Sequence, residues 1–146
     1  KTQGTARLHD QQLFEDFLKA LPPEPTIRFL RDHNFGDSFE TQIIRPLHSF
    51  VYMWDSVGKE FLDTEVEKHK KALFSLASTL ASELATRTAP IGDGSYSSVY
   101  SDYLRASGEP RPDFVIEDAK VLNETAALFV PKYEEFVRFC RLKFSK

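Results

Sequence analysis

The groups in this chain that could do chemistry are four histidines, one cysteine and scattered carboxylates, and their spacing restricts that chemistry severely. His9, His33, His48 and His69 fall in separate stretches. None stands in a His-Glu-x-x-His or His-x-x-x-His arrangement, which would put two metal ligands on one helical face. The Glu-x-x-His pattern of di-metal bundles is also missing, because Glu65 and Glu67 have the wrong spacing before His69. Cys140 is the only cysteine, so neither an intrachain disulfide nor a cysteine cluster can form. No Gly-x-Ser-x-Gly elbow offers a nucleophile. Gly92-Asp93-Gly94-Ser95 is glycine-rich like a phosphate loop, but it lacks the Gly-Lys-Ser/Thr ending and no strand is expected before it. It reads as a turn. One acid–base option is left, in which His33 or His48 works with Asp32 or Asp55.

Three surfaces could recognise rather than react. Trp54, the sole tryptophan, precedes Asp55 and a Glu60-Phe61-Leu62-Asp63 segment. It is either a core anchor or the wall of a recognition pocket. Tyr96, Tyr100 and Tyr103 lie in a glycine-bounded loop and either pack onto the body or serve as interface rings. The last fifteen residues hold Lys132, Arg138, Arg141, Lys143 and Lys146 against Glu134 and Glu135. These cations suit the negative end of a helix dipole or an anionic partner, with Arg138, Arg141 and Lys143 the candidate contacts. Asn123-Glu124-Thr125 matches a glycosylation acceptor but falls inside an expected helix.

The elements that must position these groups follow from periodicity. Val115, Leu122, Phe129 and Phe136 recur every seven residues, with Ala119, Ala126, Tyr133 and Cys140 beside them. Steps of three and four keep one helical face on a partner. A last helix is therefore expected from about Asp113 to Phe144, kinked rather than ended by Pro131, with Cys140 a buried thiol. Residues 1–9 read as a frayed polar lead. Leu13, Phe14, Phe17, Leu18 and Leu21 make a first helix that Pro22 and Pro23 stop. Pro25 opens a short second helix to about His33. Ile43, Leu47, Phe50 and Trp54 face one way on a third helix, with Pro46 in its first turn. Asp63 caps a long fourth helix to about Thr86, whose inner face is Val66, Leu73, Leu76, Ala77, Leu80 and Leu84. Lys68, Lys70 and Lys71 fall mostly on its wet side. Residues 87–112 form a long ordered loop in which Tyr96, Tyr100, Tyr103 and Leu104 share the spacing of one helical face.

At 146 residues the chain fits one domain, residues 1–146, and can bury a real core. A net charge of −3 argues against a general nucleic-acid binder. No run approaches the ~18–20 apolar residues of a membrane span. Lys1 in first place suggests a trimmed or processed chain.

Leu8-His9-Asp10 leading to Phe14 and Phe17, Ile27-Arg28-Phe29, His33-Asn34-Phe35, Pro46-Leu47, Trp54-Asp55 and Glu60-Phe61-Leu62-Asp63 together resemble a group of uncharacterised bacterial helical domains. The likeness covers about residues 8–143 and is strongest before residue 90. It implies a bacterial, cytoplasm-facing helical domain, in some members behind an N-terminal membrane helix, and it supplies no activity. The expected architecture is an all-α bundle of four principal helices and one short one, with the long ordered loop before the last helix. Near-antiparallel packing of its two long final helices is expected. The expected function is a non-enzymatic cytoplasmic interaction module binding a protein partner or itself. No cofactor, metal, nucleic acid or direct membrane insertion is expected. The alternatives are a small-molecule sensor with a Phe/Tyr-lined pocket and the His–carboxylate enzyme.

Overall fold

Apolar steps of three and four build the longest element, helix α6 (Asp113–Phe144), in the computed structural model, which describes residues 2–145. Both heptad columns are buried, Val115 to Phe136 and Ala119 to Cys140. The helix continues through Pro131, whose ring faces outward, so the apolar stripe is not interrupted. Helix α4 (Thr64–Arg87) lies along α6 in the broadest contact of the fold. Asp63 caps it as expected, its Oδ1 accepting from the N–H groups of Glu65 and Val66 at 2.9 and 3.1 Å. Helices α1 (Thr2–Ala20) and α3 (Arg45–Met53) add their aromatic faces to this pair. With the short helix α2 (Arg28–Asp32), the described chain is predominantly all-α.

Several elements differ from the sequence-based expectation. Residues 2–9 are helical rather than frayed, and Lys1 lies outside the described residues. The helix is anchored there because Arg7 donates to the carbonyls of Lys143 and Ser145, both at 2.8 Å, and Gln11 donates to that of Phe144 at 3.0 Å. α1 thereby satisfies carbonyls that the end of α6 would leave unpaired. Helix α2 is shorter than expected, since Glu24 is extended within the turn Pro23–Ile27 that leads into it. A 3₁₀ turn at Thr41–Ile44 precedes α3, so Ile44 rather than Ile43 is buried beside Leu47, Phe50 and Trp54.

The segment after α4 contains strands that the sequence reading missed. β2 (Ala89–Ile91) and β3 (Tyr96–Ser98) form a hairpin, and β3 also pairs with β1 (Phe39–Glu40). Both pairings are antiparallel, with Ile91 and Glu40 opposite Tyr96. A strand therefore does precede Gly92-Asp93-Gly94-Ser95, but it folds back as a hairpin rather than feeding a helix. Gly92 at φ +56° and Gly94 at φ +93° supply the left-handed backbone this reversal needs. A fifth helix, α5 (Asp102–Ala106), follows.

The buried thiol of Cys140 should lower native stability at alkaline pH. Cys140 is fully buried, and burial, with smaller contributions from Asp10 and Asp63, pushes its thiol from the ordinary 9.0 up to about 12. As pH rises past 9 the unfolded chain loses this proton first, so native stability falls from there until the native thiol also ionises. At pH 10.5 the loss is roughly 2 kcal/mol, at ~1.36 kcal/mol per unit. Urea midpoints should drop between pH 8.5 and 10.5, and drop less in Cys140→Ala. An equal drop in both proteins would show that this thiol is not responsible.

Candidate functional site

The three candidate tyrosines do not lie on one helical face. Tyr96 is on strand β3, Tyr100 in the following bend and Tyr103 on α5. Tyr103 is 83% exposed and Tyr96 49% exposed. Tyr100 is only half-buried but fully engaged, its ring lying 4.6 Å from the guanidiniums of both Arg105 and Arg111. Arg105 also donates to the Tyr100 carbonyl at 3.3 Å, and Arg111 to the Gly36 carbonyl at 2.9 Å. Ser101 caps α5 by accepting from the Leu104 N–H, while Asp102 accepts from the Gly92 N–H at 2.8 Å. The segment is thus pinned to its own hairpin and to the loop after α2. Two tyrosines are left facing water on an ordered support.

Trp54 is buried and packs on Phe17 and Phe50 as a core anchor, and it also borders a small cleft of about 90 Å³ with Glu60, Glu67 and Lys70. Its carbonyl accepts from Lys70 Nζ at 3.1 Å. Lys70 is buried, contrary to the wet-side expectation. The position completes the stripe between Val66 and Leu73, and the ammonium is compensated by the Trp54 carbonyl and by Glu67 Oε2 at 3.4 Å. Glu67 Oε1 in turn accepts from the Phe61 N–H at 2.9 Å. Lys59 lies over the indole at 5.0 Å.

The basic candidates separate. Lys143 turns toward Asp63, with Nζ 3.3 Å from Oδ2. Arg138 and Arg141, three residues apart, share the opposite side of α6. There they line a cleft of about 180 Å³ with Arg28 and Arg31 of the α2 region, over Ile27 and Val137. Arg31 and Glu134 also border an adjoining cleft of about 500 Å³ with Ala127, Val130, Pro131 and Asn34. Arg31 Nη1 reaches Glu134 Oε2 at 3.5 Å between the two. Both clefts are open to solvent. Tyr133 contributes to the wall of the smaller cleft, but both clefts are otherwise lined by polar and aliphatic side chains rather than by a set of Phe and Tyr rings.

Asp32 and His33 both border the 500 Å³ cleft, but among the described residues no hydrogen bond or ion pair joins His33 or His48 to Asp32 or Asp55. His33 stacks on Phe29 at 4.6 Å, with the edges of Phe35 and Phe39 around it, and its Nε2 meets the Asp37 carbonyl at 3.1 Å. His48 is half-buried, and desolvation lowers its pKa. Among the described residues the close histidine–carboxylate contact is His9 Nδ1 to Asp10 Oδ1 at 2.9 Å, and Asp10 is committed to backbone N–H groups of the turn before α4. Asn123 uses its carboxamide to hold the Phe35 N–H and Asn34, which gives it a structural task inside α6. Among the described residues no three His, Cys, Asp or Glu side chains gather for a metal ion, and no helix is long and apolar enough to cross a membrane. The sequence reading missed Arg28 and Arg31, whose three-residue spacing matches that of Arg138 and Arg141.

No protein-family model matches the chain, and no curated protein and no solved structure matches it.

Proposed function

We propose that this chain is a non-enzymatic interaction module that binds a protein partner or a second copy of itself through Tyr96 and Tyr103. The observation that supports this reading is an exposed tyrosine pair on a segment already fixed by the Ser101 cap, the Asp102–Gly92 bond and the Arg105–Tyr100–Arg111 stack. Tyrosine presents a large amphipathic surface with few torsions to freeze, and prior ordering of its backbone reduces the entropic cost of association. The proposal includes a cytoplasmic location, free or tethered by a segment outside residues 1–146, and kinship with the bacterial helical group; cell fractionation of the native protein tests the location.

The direct test is Tyr96→Ser/Tyr103→Ser with Tyr100 retained, because Tyr100 is structural. Thermal stability should change by no more than roughly 2 °C, as expected for exposed positions. Self-association by sedimentation equilibrium, or affinity for a partner identified by in-cell crosslinking, should fall at least tenfold. Tyr52→Ser/Val57→Ser, at the other exposed apolar end near α3, is the control. Loss of binding in the control alone would place the interface there and overturn the assignment, as would turnover of a substrate by the purified chain.

A further inference from the structure

Arginines from two separate elements converge on one small cleft, and the ion pairs around them are weak. Arg28 meets Glu24 at 3.3 Å with both side chains more than half exposed. Arg31 meets Asp32 at 3.2 Å and Glu134 at 3.5 Å. The side chains of Arg138 and Arg141 form no hydrogen bond or ion pair with a described residue. Exposed pairs of this kind contribute little and exchange readily. Complementing the helix dipole does not account for the group, because that effect is confined to the last turn. Arg138 lies before that turn, and Arg28 and Arg31 belong to another element. Arg141 and Tyr133 line the same cleft.

We propose that this cleft binds a phosphomonoester group, held by Arg28, Arg138 and Arg141, with the rest of the ligand passing Arg31–Glu134 into the adjoining cleft. Guanidinium forks match the oxygens of phosphate two at a time, and four of them against Glu24 and Glu134 leave the cleft cationic. A volume of about 180 Å³ suits a head group, and the neighbouring 500 Å³, where Ala127, Val130 and Pro131 face Asp32, Asn34 and Asn123, suits a body of mixed polarity. The site is separate from the tyrosine surface and does not depend on it.

Phenyl phosphate is the soluble probe, titrated calorimetrically into the full chain, and vesicles containing phosphatidic acid are the lipid probe. Saturable binding of phenyl phosphate, weakened at least tenfold by Arg138→Gln/Arg141→Gln and by Arg28→Gln with unchanged melting temperature, is the expected result. Lys132→Gln, which removes an exposed pair with Glu135, should leave binding unchanged. Tyr96→Ser/Tyr103→Ser should also bind phenyl phosphate normally, so failure of the interaction reading and failure of this one can be told apart. Binding only to phosphatidic acid vesicles, with the same arginine dependence and none to phosphatidylcholine, would assign the phosphomonoester to a lipid headgroup. Benzenesulfonate binding as tightly as phenyl phosphate, arginine variants that bind like the parent, or no binding to either probe would overturn the proposal.

Discussion

Phe17→Ala is expected to cost about 3–5 kcal/mol, the range for deleting a fully buried aromatic side chain. Phe17 has no exposed surface, and its ring centroid lies 4.9 Å from Phe136, 5.5 Å from Phe50, 5.7 Å from Trp54 and 5.8 Å from Tyr133. These rings come from α3, its C-cap and α6, so one truncation loosens α1 from two other helices at once. Edge-to-face contacts at these separations add to the burial of apolar area. Domains of this kind are stable by only ~5–15 kcal/mol, so the variant should melt roughly 10–15 °C lower and unfold at a much lower urea concentration. Phe17→Leu keeps most of the volume and should lose only about 1–2 kcal/mol. Phe114→Ala, at a position 57% exposed, is the control and should stay within about 0.5 kcal/mol. A Phe17→Ala protein within 1 kcal/mol of the parent would show that the core closes around some other residue.

The aromatic core and the helices around it were legible because their signal is local. The heptad in α6 needs only residues three and four apart, and the Asp63 cap only the next turn. Lys70 was legible in principle, since it stands between Val66 and Leu73 on the same stripe, but its charge reads as solvent-facing until the Trp54 carbonyl is known to meet it. The sheet was not legible. Phe39–Glu40 is too short for a two-residue alternation, and Pro90 weakens any strand reading of its own segment. The pairing of β1 with β3 joins residues more than fifty positions apart, which no window of sequence contains, and only the β2–β3 hairpin is local.

The same distinction explains the tyrosine and arginine surfaces. Tyr96, Tyr100 and Tyr103 have helical spacing, yet the glycine-closed hairpin ends just before Tyr100, so the spacing spans a strand, a bend and a helix. Arg28 with Arg31 and Arg138 with Arg141 each form a readable pair at a three-residue step. Only the packing of the α2 region on α6 shows that the pairs share a cleft. Lys143, two residues past Arg141, is carried to the far side of the helix by the same geometry and pairs with Asp63 instead.

Asp10→Ala is expected to cost about 3 kcal/mol through lost hydrogen bonds rather than lost volume. The Asp10 carboxylate is 1% exposed, and its two oxygens accept the N–H groups of Leu62 and Asp63, each at 2.8 Å. It therefore fastens α1 to the turn that launches α4. That turn ends in Asp63, which caps α4 and meets Lys143 of α6, so the carboxylate begins a chain of contacts through three helices. Removing it orphans two backbone donors, at about 1–3 kcal/mol for each buried group. The melting temperature should fall by roughly 6–12 °C. Asp10→Asn keeps one acceptor oxygen but turns an amide donor toward an N–H, and should cost roughly 2 kcal/mol. His9→Ala, whose side chain is 42% exposed, should change stability by less than about 1 kcal/mol, separating the His9 contact from the backbone clamp. Hydrogen exchange gives the local readout: in Asp10→Ala the amides of Leu62 and Asp63 should exchange faster relative to those in the middle of α4. Unchanged protection at these two amides, or a melting temperature within 2 °C of the parent, would mean that the turn is held by the Asp63 cap and the Phe61 side chain alone.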